Sequence, residues 1–389
     1  MIKAIRKRVK QILLKTIDKM QVNKKRRWEI KKFTDPRRVS IYTAVTLTKE
    51  QEKAIDALYL ENYGEKVPYT WHRHFTAYTG KFDVNYFPEL LFIPEFEYFM
   101  NINKAYATAL SDKKVLPFIA DCVNIAVPKC FLSASGGVLC DSNNRFIPKE
   151  CALSVLRDIG EVFAKPSVDS QSGRGCMVLN IQNGVDLISG MNAETVLESL
   201  GANFVIQERL SCHESIARIY DKSVNTFRVI TYRWKNKIYH MPAIMRIGRG
   251  GNYLDNAHAG GMFIAIDDDG TLHDTAFTEF KDEFKVHPDT HIKFAEYQIS
   301  LFPKVVDAAY RMHEAIPQMG CINWDFTINK EGVPVLIEAN MKDGSVWLVE
   351  MAHGCGAFGQ NTAEILQWIR KMKNASTDEY QKYAFGNME

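Results

Sequence analysis

Three features of the sequence predict an α+β fold preceded by a mainly helical N-terminal extension. Apolar positions recur at helical spacing over the first 20 residues, and the aromatic-rich stretch up to residue 110 carries a further helical pattern in "TKEQEKAIDALYLENYG". From Ser111 onward, strand-like apolar runs alternate with Gly-containing turns and helices. Near the end stands a hairpin, "INWDFTINKEGVPVLIEAN" (Ile322 to Asn340), whose apolar strands carry Asp325, Glu338 and Asn340 where a buried sheet offers Val or Ile. Burying unpaired carboxylates is costly, so something must hold these charged.

The elements follow in chain order. Residues 1–38 form one unit, in which Ile2, Ile5, Val9, Ile12, Leu13, Ile17 and Met20 recur at helical spacing among Lys and Arg, continuing into "NKKRRWEIKKF". This stretch carries 15 Lys and Arg against 3 Asp and Glu, leaving 34 against 43 in the remainder, so the excess basicity of the chain lies here. A basic amphipathic helix of this kind suits an anionic membrane surface; docking of its apolar stripe on the rest of the protein is the equal alternative. Nucleic acid is disfavoured, because a basic stripe is all that supports it. Residues 39–110 are aromatic-rich and mainly helical, with "TKEQEKAIDALYLENYG" ending at Gly64. Clustered Tyr and Phe are core residues, and no chemistry attaches to them.

Residues 111–215 read as a first subdomain: helix then strand in "DKKVLPFIADCVNIAVPKCFL", strand–loop–strand in "EVFAKPSVDSQSGRGCMVLNI", and a short buried strand in "NFVIQERL". Residues 216–389 read as a second: two strands joined by the "WKNK" turn in "VNTFRVITYRWKNKIYHMPAIMRIG", an amphipathic helix in "AEYQISLFPKVVDAAYRMHEAIP", then the hairpin.

With 389 residues, 46% hydrophobic and 24% charged, the composition is that of a globular enzyme with more than one core. Its eight cysteines stand singly, with no C-x-x-C pair, which argues against a zinc site and for free thiols in a reducing compartment. No run reaches the roughly 18 apolar residues of a spanning helix, and no signal-peptide core opens the chain. The expectation is a cytoplasmic protein, with the basic helix offering a peripheral contact to the inner face of the membrane.

Four constellations carry chemistry. If the hairpin turn centres on Lys330 and Glu331, position 325 falls opposite 336, and Asp325, Glu338 and Asn340 share one face. Side chains diagonal across two strands lie about 7–8 Å apart at the backbone, close enough to meet at one cation. Two carboxylates and an amide oxygen are hard donors, suited to magnesium, which keeps waters and takes substrate phosphates as further ligands. A one-residue slip would part the acids. In "AKPSVDSQSGRGC", Lys165 followed by Ser170, Ser172, Gly173 and Gly175 offers a cation and backbone N–H groups for phosphate, without Walker A spacing; a hairpin turn beside a surface Lys would look the same. Glu208, at the end of "FVIQERL", could accept from an adenine amino group. Arg228, Arg246 and Arg249, with Asn256, His258 and the Gly260–Gly261 pair, suit capture of phosphate or carboxylate.

Taken in order, these parts resemble the ATP-grasp superfamily from about residue 111 to 345, the D-x-[FIV] and [LIV]-E-x-N hairpin being the most specific piece. "FRV" with a later "MR" and "N-x-H-x-GG" is similar to the amino-acid ligases that glutamylate proteins, and "SVNTFRVITY" looks like the sugar-transfer-associated ATP-grasp subgroup. The resemblance implies two α+β subdomains clasping ATP. It implies Lys113 and Lys165 at the phosphates, with Lys114 adjoining Lys113, and Ser170 to Gly175 as the flap above them. Glu208 would be the hinge acid near adenine, Asp325, Glu338 and Asn340 the magnesium ligands, and Arg228 and Arg246 the groups near the transferred phosphate. Arg249, Asn256 and His258 are candidates for the acceptor side. In place of the family's frequent Pro-Gly after "EAN", this chain has "MKDGSVWLVEMAHG".

The activity so implied is an ATP- and Mg2+-dependent ligase joining a small-molecule or sugar carboxylate to an amine through an acyl phosphate, in cell-surface polysaccharide biosynthesis. An ATP-grasp kinase acting on another acceptor, and a non-catalytic ATP-binding accessory of a glycosyltransferase, are the alternatives.

Overall fold

Alternation of side chains along two antiparallel sheets decides which residues face solvent, core and cleft. The computed structural model describes residues 2–168, 173–376 and 379–388 and, in the first helix, the side chains of Val9, Thr16, Ile17 and of residues 19 onward. Ser170 and Ser172 therefore lie outside the described residues, as do the side chains of Ile2, Ile5, Ile12 and Leu13.

The first sheet comprises β1 (Cys130–Ser135), β2 (Val138–Asp141), β3 (Gly160–Pro166), β4 (Met177–Gln182), β5 (Val185–Asp186) and β6 (Phe204–Glu208), in the order β2-β1-β6-β3-β4-β5. Val162 and Ala164 of β3 and Phe204 and Ile206 of β6 enter a core shared with helices Lys149–Leu156 and Ala193–Ser199. Successive strand residues point to opposite faces, which sends Phe163, Lys165 and Gln207 into the cleft instead.

The second sheet comprises β7 (Thr226–Trp234), β8 (Lys237–His240), β9 (Ala243–Ile247), β10 (Met262–Ile266), β11 (Ala276–Phe277), β12 (Glu283–Phe284), β13 (Cys321–Ile328) and β14 (Pro334–Asn340). Its order is β12-β11-β10-β9-β7-β13-β14, with β8 also on β7. The expected pair of strands around "WKNK" is thus three. Lys235 and Asn236 turn the chain with positive φ, as a two-residue hairpin requires. Pro242, which lacks an amide hydrogen, separates β8 from β9 along the edge of β7. The helix expected from Ala295 begins only at Phe302, with Pro303 in its first turn, where a missing N–H costs nothing.

Phe227, Val229, Trp324 and Phe326 pack on helix Phe302–Glu314 on one face of this sheet. The other face is half covered. Ile230, Tyr232 and Cys321 join a second core built by the N-terminal helices and helix Thr362–Asn374. Further along the same face, Arg228 and Asp325, paired in register, stay clear of that layer and open into the cleft.

The aromatic N-terminal region is therefore a layer of the second sheet. Lys49–Asn62 starts with a reciprocal capping box between Thr48 and Gln51. Glu89–Met100 is a helical run whose middle, Phe92–Glu97, winds as a π-helix around Pro94. Phe96 meets Phe358 at 4.6 Å between ring centroids, and Phe87 meets it at 4.8 Å. Burying such rings is worth several kcal/mol each, so Phe96→Ala is expected to cost about 3–5 kcal/mol. Urea unfolding should register that loss as a single transition shared by the helical layer and the second sheet.

Candidate active site

The hairpin carries its acids to one face by a route the sequence did not suggest. The loop between β13 and β14 holds three residues, Lys330 to Gly332, closed by the Asn329 N–H···O=C Val333 bond, and Gly332 takes φ +75°. Ile328 then pairs with Pro334 and Phe326 with Leu336, one step away from the expected pairing of 325 with 336. Left so, Asp325 and Glu338 would face opposite ways. A bulge at Ile337 moves the register one more residue, and Asp325 falls directly opposite Glu338, with Asn323 opposite Asn340. The carbonyl of the bulged Ile337 accepts from the Lys165 ammonium at 3.3 Å, tying the two sheets together at the site.

Asp325 is buried and is gripped by two arginines. Arg228 donates from Nε to Oδ1 at 2.5 Å and from its terminal nitrogen to Oδ2 at 3.0 Å, and Arg246 reaches Oδ2 at 3.1 Å. Burial alone would push this carboxyl up; the two guanidiniums outweigh it and hold it below the usual carboxylate range. Arg246 also donates to the Thr226 hydroxyl at 2.7 Å and lies 3.6 Å from Asp255, whose carboxylate accepts from the Thr226 N–H and hydroxyl. Asp255 was not among the sequence candidates. Its signal is its place in "LDNAHAGG", one residue before Asn256, and Gly261 packs so closely on its carbonyl that a Cβ would sit 2.3 Å from that oxygen.

Glu338, partly exposed, takes the Lys113 ammonium at 2.9 Å. The two adjacent lysines point different ways: Lys114 turns toward Cys140 Sγ at 3.8 Å, while Lys113 lines the cleft. Lys165 is buried beside both. Burial brings its pKa down to about 8 against the pull of Glu338, with Lys113 repelling it further. The cluster thus sets Lys113, Lys165, Arg228 and Arg246 against Asp255, Asp325 and Glu338, a balance that a divalent cation plus a polyphosphate would complete.

As to magnesium, the donor set fits. Glu338 and the Asn340 amide keep acceptor positions open, whereas Asp325 spends three of a carboxylate's roughly four on arginine.

The remaining candidates divide. Gly173, Asn256 and His258 line the cleft with the cluster, and Gly173 sits against Leu254 and Asn256. His258 pairs through Nδ1 with Glu279 at 2.5 Å. Glu208 lines the cleft too, but its Oε1 accepts from the Lys129 N–H at 2.7 Å. Arg249 stands apart, donating to the Gly260 carbonyl at 2.7 Å and stacking near Phe284, and Gly175 packs on Pro166.

Sequence reasoning also passed over the acids of the aromatic layer. Both oxygens of buried Glu97 accept backbone N–H groups from the segment after Asn340: Asp343 at 2.8 Å and Gly344 at 2.7 Å. Glu89 accepts from Val346 at 3.3 Å. The carboxylates interrupting "ELLFIPEFEYF" were the available signal. Gly344 is required there, since a Cβ would lie 2.0 Å from Asn323 Nδ2. The cavity framed by these parts measures about 1500 Å3, beyond the roughly 300–1,000 Å3 of a single small-ligand pocket.

The family model for sugar-transfer-associated ATP-grasp proteins matches residues 93–365, most of the chain. No curated protein matches it. Among solved structures, similar chains include the carboxyaminoimidazole ribonucleotide synthase of Aspergillus clavatus complexed with ATP (11% identity, 64% of this chain and 51% of that one, TM-score 0.36). Others are the L-amino acid ligase of Bacillus licheniformis (11%, 68% and 47%, 0.36) and D-alanyl-alanine synthetase A of Vibrio cholerae O1 biovar eltor str. N16961 (13%, 69% and 67%, 0.38). The chain spans about half the length of the first two.

Burial lifts the pKa of Glu97 to about 7 from 4.5. A raised carboxyl pKa stabilises the fold below pH 4.5 and loses that contribution as pH climbs through 7. Relative to Glu97→Gln, which has no proton to lose, the wild type should therefore lose on the order of 1–3 kcal/mol between pH 4.5 and 7. Paired thermal melts across that window read the difference.

Proposed function

Because the chain belongs to the sugar-transfer-associated ATP-grasp family, we propose that it is an ATP- and Mg2+-dependent ligase joining a carboxylate to an amine in cell-surface polysaccharide assembly. The supporting observation is the opposed pair Asp325 and Glu338, ringed by Lys113, Lys165, Arg228 and Arg246 in a cleft with room for nucleotide and substrate together.

A carboxylate does not react with an amine at neutral pH, since its leaving group would be oxide. Transfer of the γ-phosphoryl group to a carboxylate oxygen yields an acyl phosphate and ADP; the amine then attacks the acyl carbon and expels phosphate. Lys113 and Lys165 would hold the phosphates of ATP, while Arg228 and Arg246, anchored on Asp325, neutralise charge as the phosphoryl group moves. Glu338, Asn340 and the remaining acceptor position of Asp325 would hold Mg2+, which when bound neutralises phosphate charge. Gly173 lies in the flap, Glu208 serves the adenine end, and Asn256 and His258 the acceptor side. The lysine proposed at the phosphates is Lys113, which lines the cleft and pairs with Glu338, and Arg249, bonded to the Gly260 carbonyl, is given no role in the transfer. The basic first helix would serve a peripheral site on the membrane; among the described residues no helix is long and apolar enough to cross one.

ADP release with Mg2+ and hydroxylamine, over a panel of uronic, amino and sugar acids, tests the chemistry. Hydroxamate should form with one acid and fall at least about 100-fold in Glu338→Ala, the scale on which transition-state charge stabilisation acts. ADP without hydroxamate from any acid would favour a kinase, and no ADP would favour a nucleotide-binding accessory.

A second expectation follows from Lys165. Its ammonium deprotonates at about pH 8, and a bound phosphate would restore the proton, so binding of a non-hydrolysable ATP analogue should take up a proton above pH 8 and weaken as pH rises further. Calorimetry in buffers of different ionisation enthalpy detects that proton, which should vanish in Lys165→Met.

A further inference from the structure

The first helix, Ile2–Lys32, ends as a wall of the cleft. Its inner face is anchored: Arg26 meets the buried Glu95 at 2.8 Å and the Tyr63 hydroxyl at 3.0 Å, Val22 packs on the aromatic core, and Lys25 pairs with Asp343 at 2.6 Å, three residues beyond Asn340. Held that way, the helix turns Lys24, Arg27, Trp28 and Lys31 outward, at spacings of three and four that share one face, and all four line the cavity.

Two features of this stripe call for a ligand. Lys24 and Arg27, and Arg27 and Lys31, are like charges at i,i+3 and i,i+4, an arrangement that destabilises a helix by a few tenths of a kcal/mol per pair. Among the described residues, no carboxylate lies within ion-pair distance of any of the three. Between them stands Trp28, 61% exposed, while the other five tryptophans are buried. A wide aromatic face left in water inside a cleft, flanked by uncompensated cations, suits a ring stacked on the indole and an anion beside it.

We propose that this stripe binds the substrate of the ligase reaction through a phosphate or diphosphate group attached to a sugar, the sugar ring lying on Trp28 and the anion among Lys24, Arg27 and Lys31. The inference rests on the ligase reading and names the substrate class for that site. The diphosphate can come from two sources, a free nucleoside diphosphate sugar or a lipid-linked one. On the same face, further toward the N-terminus, Val9, Ile17 and Met20 are exposed, which places an apolar stripe where a lipid tail or membrane would continue from the cleft.

The test uses the full chain saturated with Mg2+ and a non-hydrolysable ATP analogue, so that the phosphate-binding lysines are already engaged. Uridine diphosphate glucose is titrated in, with glucose as the uncharged control, following heat and the fluorescence of the exposed Trp28. Binding should saturate at one site, weaken with added salt, fall at least tenfold in the triple variant Lys24→Gln, Arg27→Gln, Lys31→Gln, and lose its fluorescence signal in Trp28→Phe. The analogue's own affinity should change less than twofold in these surface variants, which also certifies their fold. No binding of the diphosphate sugar or of a polyprenyl diphosphate glucose in detergent micelles, or equal binding by the triple variant, overturns the proposal. So does a triple variant that loses only its binding to anionic vesicles, which would make the stripe a membrane surface. Tighter binding of the micellar probe than of the soluble one would identify the lipid-linked source. Failure of the analogue itself to bind would remove the ligase reading, while the titration of wild type against triple variant would still decide the stripe.

Discussion

A buried carboxylate that must stay charged governs this structure. Asp325 sits buried on β13, between β7 and the edge strand β14, where an unpaired charge would cost several kcal/mol, and only the bidentate hold of Arg228 and the added contact of Arg246 make the position tolerable. Those arginines need fixed places of their own. Arg228 obtains its place from the β7–β13 pairing, which sets it directly opposite Asp325, and Arg246 from Thr226 and Asp255. Strand order, register and the "DNAHAGG" turn thus answer to one charge.

The same constraint explains why irregular backbone gathers at the cleft. A three-residue loop and a bulge each shift the hairpin by one residue, and only together do they return Asp325 and Glu338 to one face. Bulges cost a ladder hydrogen bond, and here the exposed Ile337 carbonyl is occupied by the Lys165 ammonium from the other sheet. A departure from regular pairing therefore becomes the contact by which the first sheet addresses the second.

The aromatic helical layer plays a comparable part on the far side of the cleft. Its bulk is packing, yet Glu97 and Glu89 reach out of it to order the backbone after Asn340, where the usual Pro-Gly of the family is absent. Gly344 and Glu97 are matched: the glycine leaves room for Asn323, and the carboxylate accepts the amides that this close approach leaves without water. The first helix is fixed to the same segment through Lys25 and Asp343, so the region with no chemistry of its own forms part of the cleft wall.

By itself the sequence determined the α+β class, the long basic first helix, the helix that stops at Gly64 and the polar triad in the hairpin, because each depends on local spacing, turn residues or residue type. Lys165, Arg228, Arg246, Glu338 and Asn340 were legible for that reason: a strongly polar group in an apolar strand survives burial only where a partner or a ligand compensates it. Tertiary structure alone decided the rest. That Lys113 and not Lys114 meets Glu338, that Arg249 bonds Gly260 away from the Asp325 cluster, and that Asp255 joins Arg246 all depend on which atoms meet between distant stretches of chain. The hairpin shows the difference best. Its face assignment came out as expected, yet through a different loop and a compensating bulge, because strand register is set by what a backbone pairs with and not by what it contains.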